Sequence, residues 1–148
     1  MSEAAYRYPA NAPIGERRRI VIADAHEPTR VLMRTLIELE GMQVVGEARN
    51  GTEAVALAVE HEPDAVLLDV NLHGPDGRGA AEILRAWRPW IHLSLHTGEP
   101  LETARGRAAA LQLPLADKRD LHLTIEQLAR IEGVTCVEQV VEERPLPL

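Results

Sequence analysis

Pro63-Asp64-Ala65-Val66-Leu67-Leu68-Asp69-Val70-Asn71 is the stretch that decides the fold. Ala65 to Leu68 are apolar without polar alternation, the pattern of a short strand buried on both faces, as in a parallel sheet. The run stops on a carboxylate, Asp69. Ligands of open parallel sheets sit beyond the carboxyl ends of the strands, so Asp69 marks a candidate site. Leu72-His73-Gly74-Pro75-Asp76-Gly77 follows and reads as a loop from its Gly, Pro and Asp content. A carboxylate in that place also serves as a plain helix cap, so the flanking chain has to decide.

Upstream, Arg17-Arg18-Arg19 lead into a second buried run, Ile20-Val21-Ile22-Ala23, which ends on Asp24. From Glu27 to Gly41 the spacing turns helical, with Val31, Leu32, Thr35, Leu36 and Leu39 as the apolar stripe and Gly41 as the cap. Met42 to Ala48 supplies another strand, polar enough at Gln43 and Glu47 to lie at an edge. Asn50-Gly51-Thr52 signals a turn and an N-cap. Ala54, Val55, Ala58 and Val59 then form a helical stripe that Pro63 ends. Downstream, Gly79 to Trp87 reads as a helix burying Ala81, Ile83, Leu84 and Trp87. Ile91 to His96 is a strand, and Thr97-Gly98-Glu99-Pro100 turns into a helix over Leu101 to Leu111. Leu113-Pro114-Leu115-Ala116 is a short strand whose proline suits an edge. A last helix spans about Asp120 to Glu132 and stops at Gly133. Strands alternating with helices make βαβ units, so the class is α/β with five parallel strands and five helices on the two faces.

The bounds agree with one domain. The chain has 148 residues, a net charge of −7, one cysteine and no phenylalanine. The acidic balance argues against a nucleic-acid surface within this chain, which would need a basic face. A single cysteine permits no internal disulfide and points to a reducing compartment. No apolar run reaches membrane-spanning length and no signal-peptide core is present, so a cytoplasmic protein is expected. Residues 1–16 read as a flexible tail, 17–132 as the folded domain and 133–148 as a C-terminal extension or linker.

Polar residues at successive strand ends define the chemistry. Asp24, Asp69, Thr97 and Lys118 follow four different strands. Two carboxylates can hold a hard cation such as Mg²⁺, which prefers oxygen ligands. The cation and Lys118 would neutralise a transferring phosphoryl group, and Thr97 would hydrogen-bond one of its oxygens. Asp69 is then the nucleophile, forming an acyl phosphate. A hydrolase is poorly supported, because no second base is placed near Asp69, and the chain is read as a non-enzyme.

At these residues the chain resembles the receiver domains of two-component response regulators. The motifs are Asp24-Ala25-His26-Glu27-Pro28-Thr29-Arg30, Gly46 to Ala54, Pro63 to Asp69, Asp76-Gly77, Thr97-Gly98 and Lys118, over about Arg18 to Ile131. The resemblance implies a flavodoxin-like sheet of order 2-1-3-4-5. It makes Asp69 the phospho-acceptor, with Thr97 and Lys118 on the phosphoryl group, and Asp24, Asp69 and the Asn71 backbone carbonyl on Mg²⁺. The phosphate would come from a histidine kinase or histidine phosphotransfer protein. Signalling surfaces in the family lie on the fourth helix, fifth strand and fifth helix, here 101–131, which implies a homodimer or partner contact there.

Departures from the family pattern accompany the match. Receivers usually carry two adjacent acids after the first strand, the second binding metal directly; here the pair is Asp24-Ala25, so Mg²⁺ should bind weakly. Glu27 is the rival, a longer side chain able to reach back. His73 and Arg119 stand where prolines are common, and Leu115 where an aromatic switch residue often sits, which puts the ordinary conformational readout in question. The alternative function is a pseudo-receiver that binds partners independently of phosphorylation. The six histidines show no zinc spacing, with His92 and His96 read as strand residues. Cys136 reads as a small packing residue, and Trp87 and Trp90, which flank Pro89, as packing the end of the third helix, with a partner surface as the alternative for Trp90. Val134, Val137 and Val141 fit a helical stripe, while Val134-Thr135-Cys136-Val137 also suits a strand.

Overall fold

The computed structural model describes residues 17–74 and 79–130. Five strands, β1 (Arg19–Ala23), β2 (Gln43–Ala48), β3 (Ala65–Asp69), β4 (His92–Thr97) and β5 (Leu115–Asp117), form one sheet in the order β2-β1-β3-β4-β5. All the pairings are parallel. The helices are α1 (Glu27–Leu39), α2 (Gly51–His61), α3 (Ala80–Trp87), α4 (Leu101–Leu111) and α5 (Leu121–Arg130), with a 3₁₀ turn, Lys118–Asp120, before the last. Strand order and helix count are those of a flavodoxin-like receiver.

The unbroken apolar runs are explained by a core on each face. Val21, Ala23, Val66, Leu68, Leu93 and Leu95 join α2 and α3 residues in one cluster, with Ala108 of α4. The alternate residues Ile20, Ile22, Ala65 and Leu67 pack instead with Met33 and Ile37 of α1 and Leu121, Ile125 and Leu128 of α5. Successive strand side chains point to opposite faces, so a strand buried on both must be apolar throughout.

Local signals set some helix ends. Asn50 caps α2, its side chain accepting from the Glu53 N–H at 2.9 Å. Pro28 stands in the first turn of α1, and Gly41, with φ 78°, takes the left-handed position just past its end. At Gly51 the backbone passes so close to the β3–α3 loop that a Cβ would lie 1.9 Å from the His73 carbonyl oxygen, so only glycine fits there.

Two expectations are corrected. The buried side of α1 is Thr29, Met33 and Ile37, while Val31, Leu32 and Leu39 are 51%, 47% and 77% exposed. Both sets satisfy helical spacing; Met33 and Ile37 are the pair that packs with Ile20, Ile22 and α5, and Leu36 of the expected stripe, half-buried, packs against the same cluster. Strand β5 begins at Leu115 rather than Leu113, because Pro114 has no N–H to give the ladder and contributes only its carbonyl, which accepts from the Leu95 N–H. The final helix starts at Leu121, within a residue of the expected Asp120, after the 3₁₀ turn Lys118–Asp120 that the Asp117 side chain caps. The proposed edge strands, β2 and β5, are at the edges. The tail at 1–16, the Asp76-Gly77 pair, Cys136 and the Val134–Val141 segment lie outside the described residues.

Candidate functional site

Strand parity assembles the site. Asp24 follows β1 with the parity of Ile20 and Ile22, and Asp69 ends β3 with that of Ala65 and Leu67. His96 of β4 stands in register with Asp69. One oxygen or nitrogen atom from each of Asp24, Asp69 and His96 lies within 4.8 Å of the others. Lys118, at the exit of β5, joins them: its ammonium is 2.7 Å from Asp24 Oδ2 and 3.0 Å from Asp69 Oδ2. Its chain passes beside Gly98, in ordinary van der Waals range of where a Cβ would stand.

Asp24 is fully buried and its oxygens are engaged. Oδ1 accepts from the His26 backbone N–H at 2.8 Å, and Oδ2 accepts from His96 Nε2 at 2.8 Å and from Lys118. Burial alone would push this carboxyl up. The hydrogen bonds from His96, Lys118 and His26 outweigh burial and hold it down at about 2. Burial likewise works against the Lys118 ammonium, yet the Asp24 and Asp69 carboxylates keep its pKa above the ordinary value. The histidine that donates to Asp24 through Nε2 leaves Nδ1 buried without a hydrogen-bond partner.

Asp69 is more accessible. Its side chain is 13% exposed, and Oδ1 accepts from the Asn71 N–H at 2.8 Å. Thr97 is buried, and its hydroxyl oxygen accepts from the Glu99 N–H at 3.0 Å, fixing the β4–α4 turn. The Asn71 side chain donates to Glu99 Oε1 at 3.1 Å and accepts from Arg107 Nη1. Arg107 also meets Glu99 Oε2 at 3.1 Å, so this trio links the β3–α3 loop, the β4–α4 turn and α4. Asp24, Asp69 and Lys118, read from strand ends, are thus in contact. His96, read only as a strand residue, belongs with them.

The donors present do not make a tight Mg²⁺ site. Ala25 offers no carboxylate, Glu27 is exposed outside the converging set, and both Asp24 oxygens already serve donors. His96 is no better as a ligand, since its Nε2 is committed to Asp24. A metal-bound histidine also needs a partner for its other nitrogen, which Nδ1 lacks.

Residues 20–112 match the family model of the response regulator receiver domain. The chain belongs to that family. It is 35% identical over 127 residues to the transcriptional regulatory protein PdtaR of Mycobacterium tuberculosis, a match covering 82% of this chain and 62% of PdtaR. This receiver chain therefore spans less than two thirds of that relative's length. Among solved structures it is similar to the receiver domain of AraT, a response regulator from Geobacillus stearothermophilus. That match has a TM-score of 0.65, 26% identity and coverage of 76% of this chain and 93% of that one. The signal receiver domain of the response regulator NarL from Mycobacterium tuberculosis matches with a TM-score of 0.65 and 25% identity, over 78% and 98% of the two chains. Among the described residues, no helix is long and apolar enough to cross a membrane.

Proposed function

We propose that this receiver accepts a phosphoryl group on Asp69 from a histidine kinase or histidine phosphotransfer protein and signals through protein contacts. The observation that carries the reading is the Lys118 ammonium placed 2.7 Å from Asp24 and 3.0 Å from Asp69. A fixed cation beside a nucleophilic carboxylate suits phosphoryl transfer, where charge stabilisation and positioning supply most of the catalysis. An Asp69 oxygen attacks the phosphorus of a phosphohistidine. The P–N bond breaks, its electron pair stays with the imidazole, and the acyl phosphate carries the transferred group. Thr97 and Lys118 contact the phosphoryl oxygens. Divalent metal is left with Asp69 and the Asn71 backbone, a set that binds Mg²⁺ weakly.

The signalling surface assigned here is α4, β5 and α5, residues 101–131, used for a partner or a second copy of the chain. Leu115 replaces the aromatic switch residue, so the readout runs through the turns that start α4 and α5. The setting is cytoplasmic, as befits a receiver partnered by a kinase.

Incubation with acetyl phosphate followed by intact-mass measurement tests the reading. Wild type gains one phosphoryl group and Asp69→Asn gains none. Equal adduct on both proteins would move the acceptor elsewhere, and no adduct on wild type under any condition would favour the phosphorylation-independent pseudo-receiver.

A further inference from the structure

Two features set the charge of the site: a carboxylate that metal-dependent receivers usually carry is absent at position 25, and His96 supplies a donor to Asp24. Ala25 removes an acid from the rim. The remaining Asp24 and Asp69 carboxylates face the single Lys118 ammonium, leaving one net negative charge, whereas an acid at 25 would leave two. Like charges gathered in one crevice call for a neutralising cation, and fewer carboxylates call for less. The donor is His96. It is buried, and it spends Nε2 on Asp24 Oδ2 at 2.8 Å, the same oxygen that Lys118 touches. That bond and the His26 N–H fix the Asp24 carboxylate, so Asp24 serves as an anchor for the ammonium rather than as a metal ligand.

We propose that Lys118, anchored by the Asp24–His96 pair and held against Asp69, supplies the positive charge of this site, so that Asp69 is phosphorylated without a divalent cation. The proposal rests on Asp69 being the acceptor. With acetyl phosphate, an Asp69 oxygen bonds to phosphorus as the bond from phosphorus to the acetyl oxygen breaks. Acetate leaves with the electron pair, and Asp69 becomes the acyl phosphate; charge balances with no proton moved. Lys118 meets the phosphoryl oxygens from the Asp24 side. His96 is a positioning residue, acting on the reaction only through Asp24 and the ammonium.

The test follows the acetyl phosphate reaction by intact mass in EDTA and in saturating Mg²⁺, alongside thermal melts in the same two buffers. Wild type should react at rates that agree within about twofold, and Mg²⁺ should leave its melting temperature unchanged. Ala25→Asp should become metal-dependent, gaining about tenfold or more in rate with Mg²⁺ together with a Mg²⁺-induced rise in melting temperature. His96→Leu should lose about tenfold in EDTA. His96→Gln, whose amide nitrogen can donate from nearly the same place, should keep most of the rate. A wild-type reaction at least about tenfold slower in EDTA than in Mg²⁺ overturns the proposal while leaving Asp69 as acceptor. Should no adduct form in either buffer, the acceptor reading falls. The melts then decide separately, since a Mg²⁺-induced rise in wild type would overturn the metal-free site as well.

Discussion

Asp24 is held ionised by three donors in a place where burial opposes charge, and this makes its contribution to stability a function of pH. Its folded pKa of about 2 lies below the ordinary 3.8. A lowered carboxyl stabilises the fold above its unfolded pKa, and that contribution is lost as pH falls through the folded value. Asp64 works in the opposite sense, because burial raises its pKa despite the bond from the Arg19 N–H. Urea midpoints of wild type and Asp24→Asn, measured at several pH values, remove the Asp64 term from the comparison. The advantage of wild type should be full above about pH 4 and should shrink steadily towards pH 2; a gap independent of pH would mean that the carboxylate charge is not what His96 and Lys118 stabilise. Asp24, Asp69 and Lys118 were legible in the sequence because each ends an apolar strand and has no other employment. His96 was not, since a histidine inside an alternating strand reads as ladder. Its signal lay in parity: it precedes Thr97 and pairs with Asp69, so once the order of strands is fixed it must share the face of the two aspartates. The orientation of its ring towards Asp24 has no counterpart in linear spacing.

At the scale of elements, α1 shows where periodicity is ambiguous. Val31, Leu32, Thr35, Leu36 and Leu39 made a stripe as regular as Thr29, Met33 and Ile37, and nothing within the helix chooses between them. The choice is made by α5, whose Leu121, Ile125 and Leu128 complete the cluster around Met33 and Ile37. Such a choice depends on tertiary contacts that the local pattern does not encode. Strands were easier, because burial on both faces leaves no stripe to select. Pro114 is a different case: a missing N–H is tolerable at an edge, yet the ladder starts only after it, at Leu115. Energetics should separate the two faces of α1. Met33→Ala and Ile37→Ala empty a packed core and should cost about 2–5 kcal/mol each. Val31→Ala and Leu32→Ala, on the exposed side, should stay within about 0.5 kcal/mol. Chemical denaturation of the four variants checks this, and a loss at Val31 equal to that at Met33 would place α1 the other way round.

Across the whole molecule, the proposed phosphoryl site and the proposed signalling face share two short connections. Thr97 opens the turn into α4, with Arg107 reaching back from that helix to Asn71 and Glu99. Lys118 opens the 3₁₀ turn into α5. A phosphoryl group on Asp69 that draws Thr97 and Lys118 towards it therefore pulls on the starts of both helices, and needs no aromatic at 115 to do so. The outer side of α5 offers something to bind with. Leu123 is 48% exposed and lines an open groove with Glu126, Gln127 and Arg130. An apolar residue flanked by charges of both signs suits a two-fold contact, in which the same patch meets its own copy. Self-association through this face should accordingly rise on phosphorylation. Leu123→Glu should weaken it, because it forfeits about 1.5–3 kcal/mol per buried leucine and brings a carboxylate into the contact. That corresponds to a loss of about tenfold or more in dimer affinity. Light scattering on wild type, Leu123→Glu and a chain lacking residues 133–148, each with and without acetyl phosphate, separates the contributions. Equal weakening by the deletion would extend the interface into the C-terminal segment. Monomers throughout, with Asp69 phosphorylated, would exclude self-association and leave the face to a different partner.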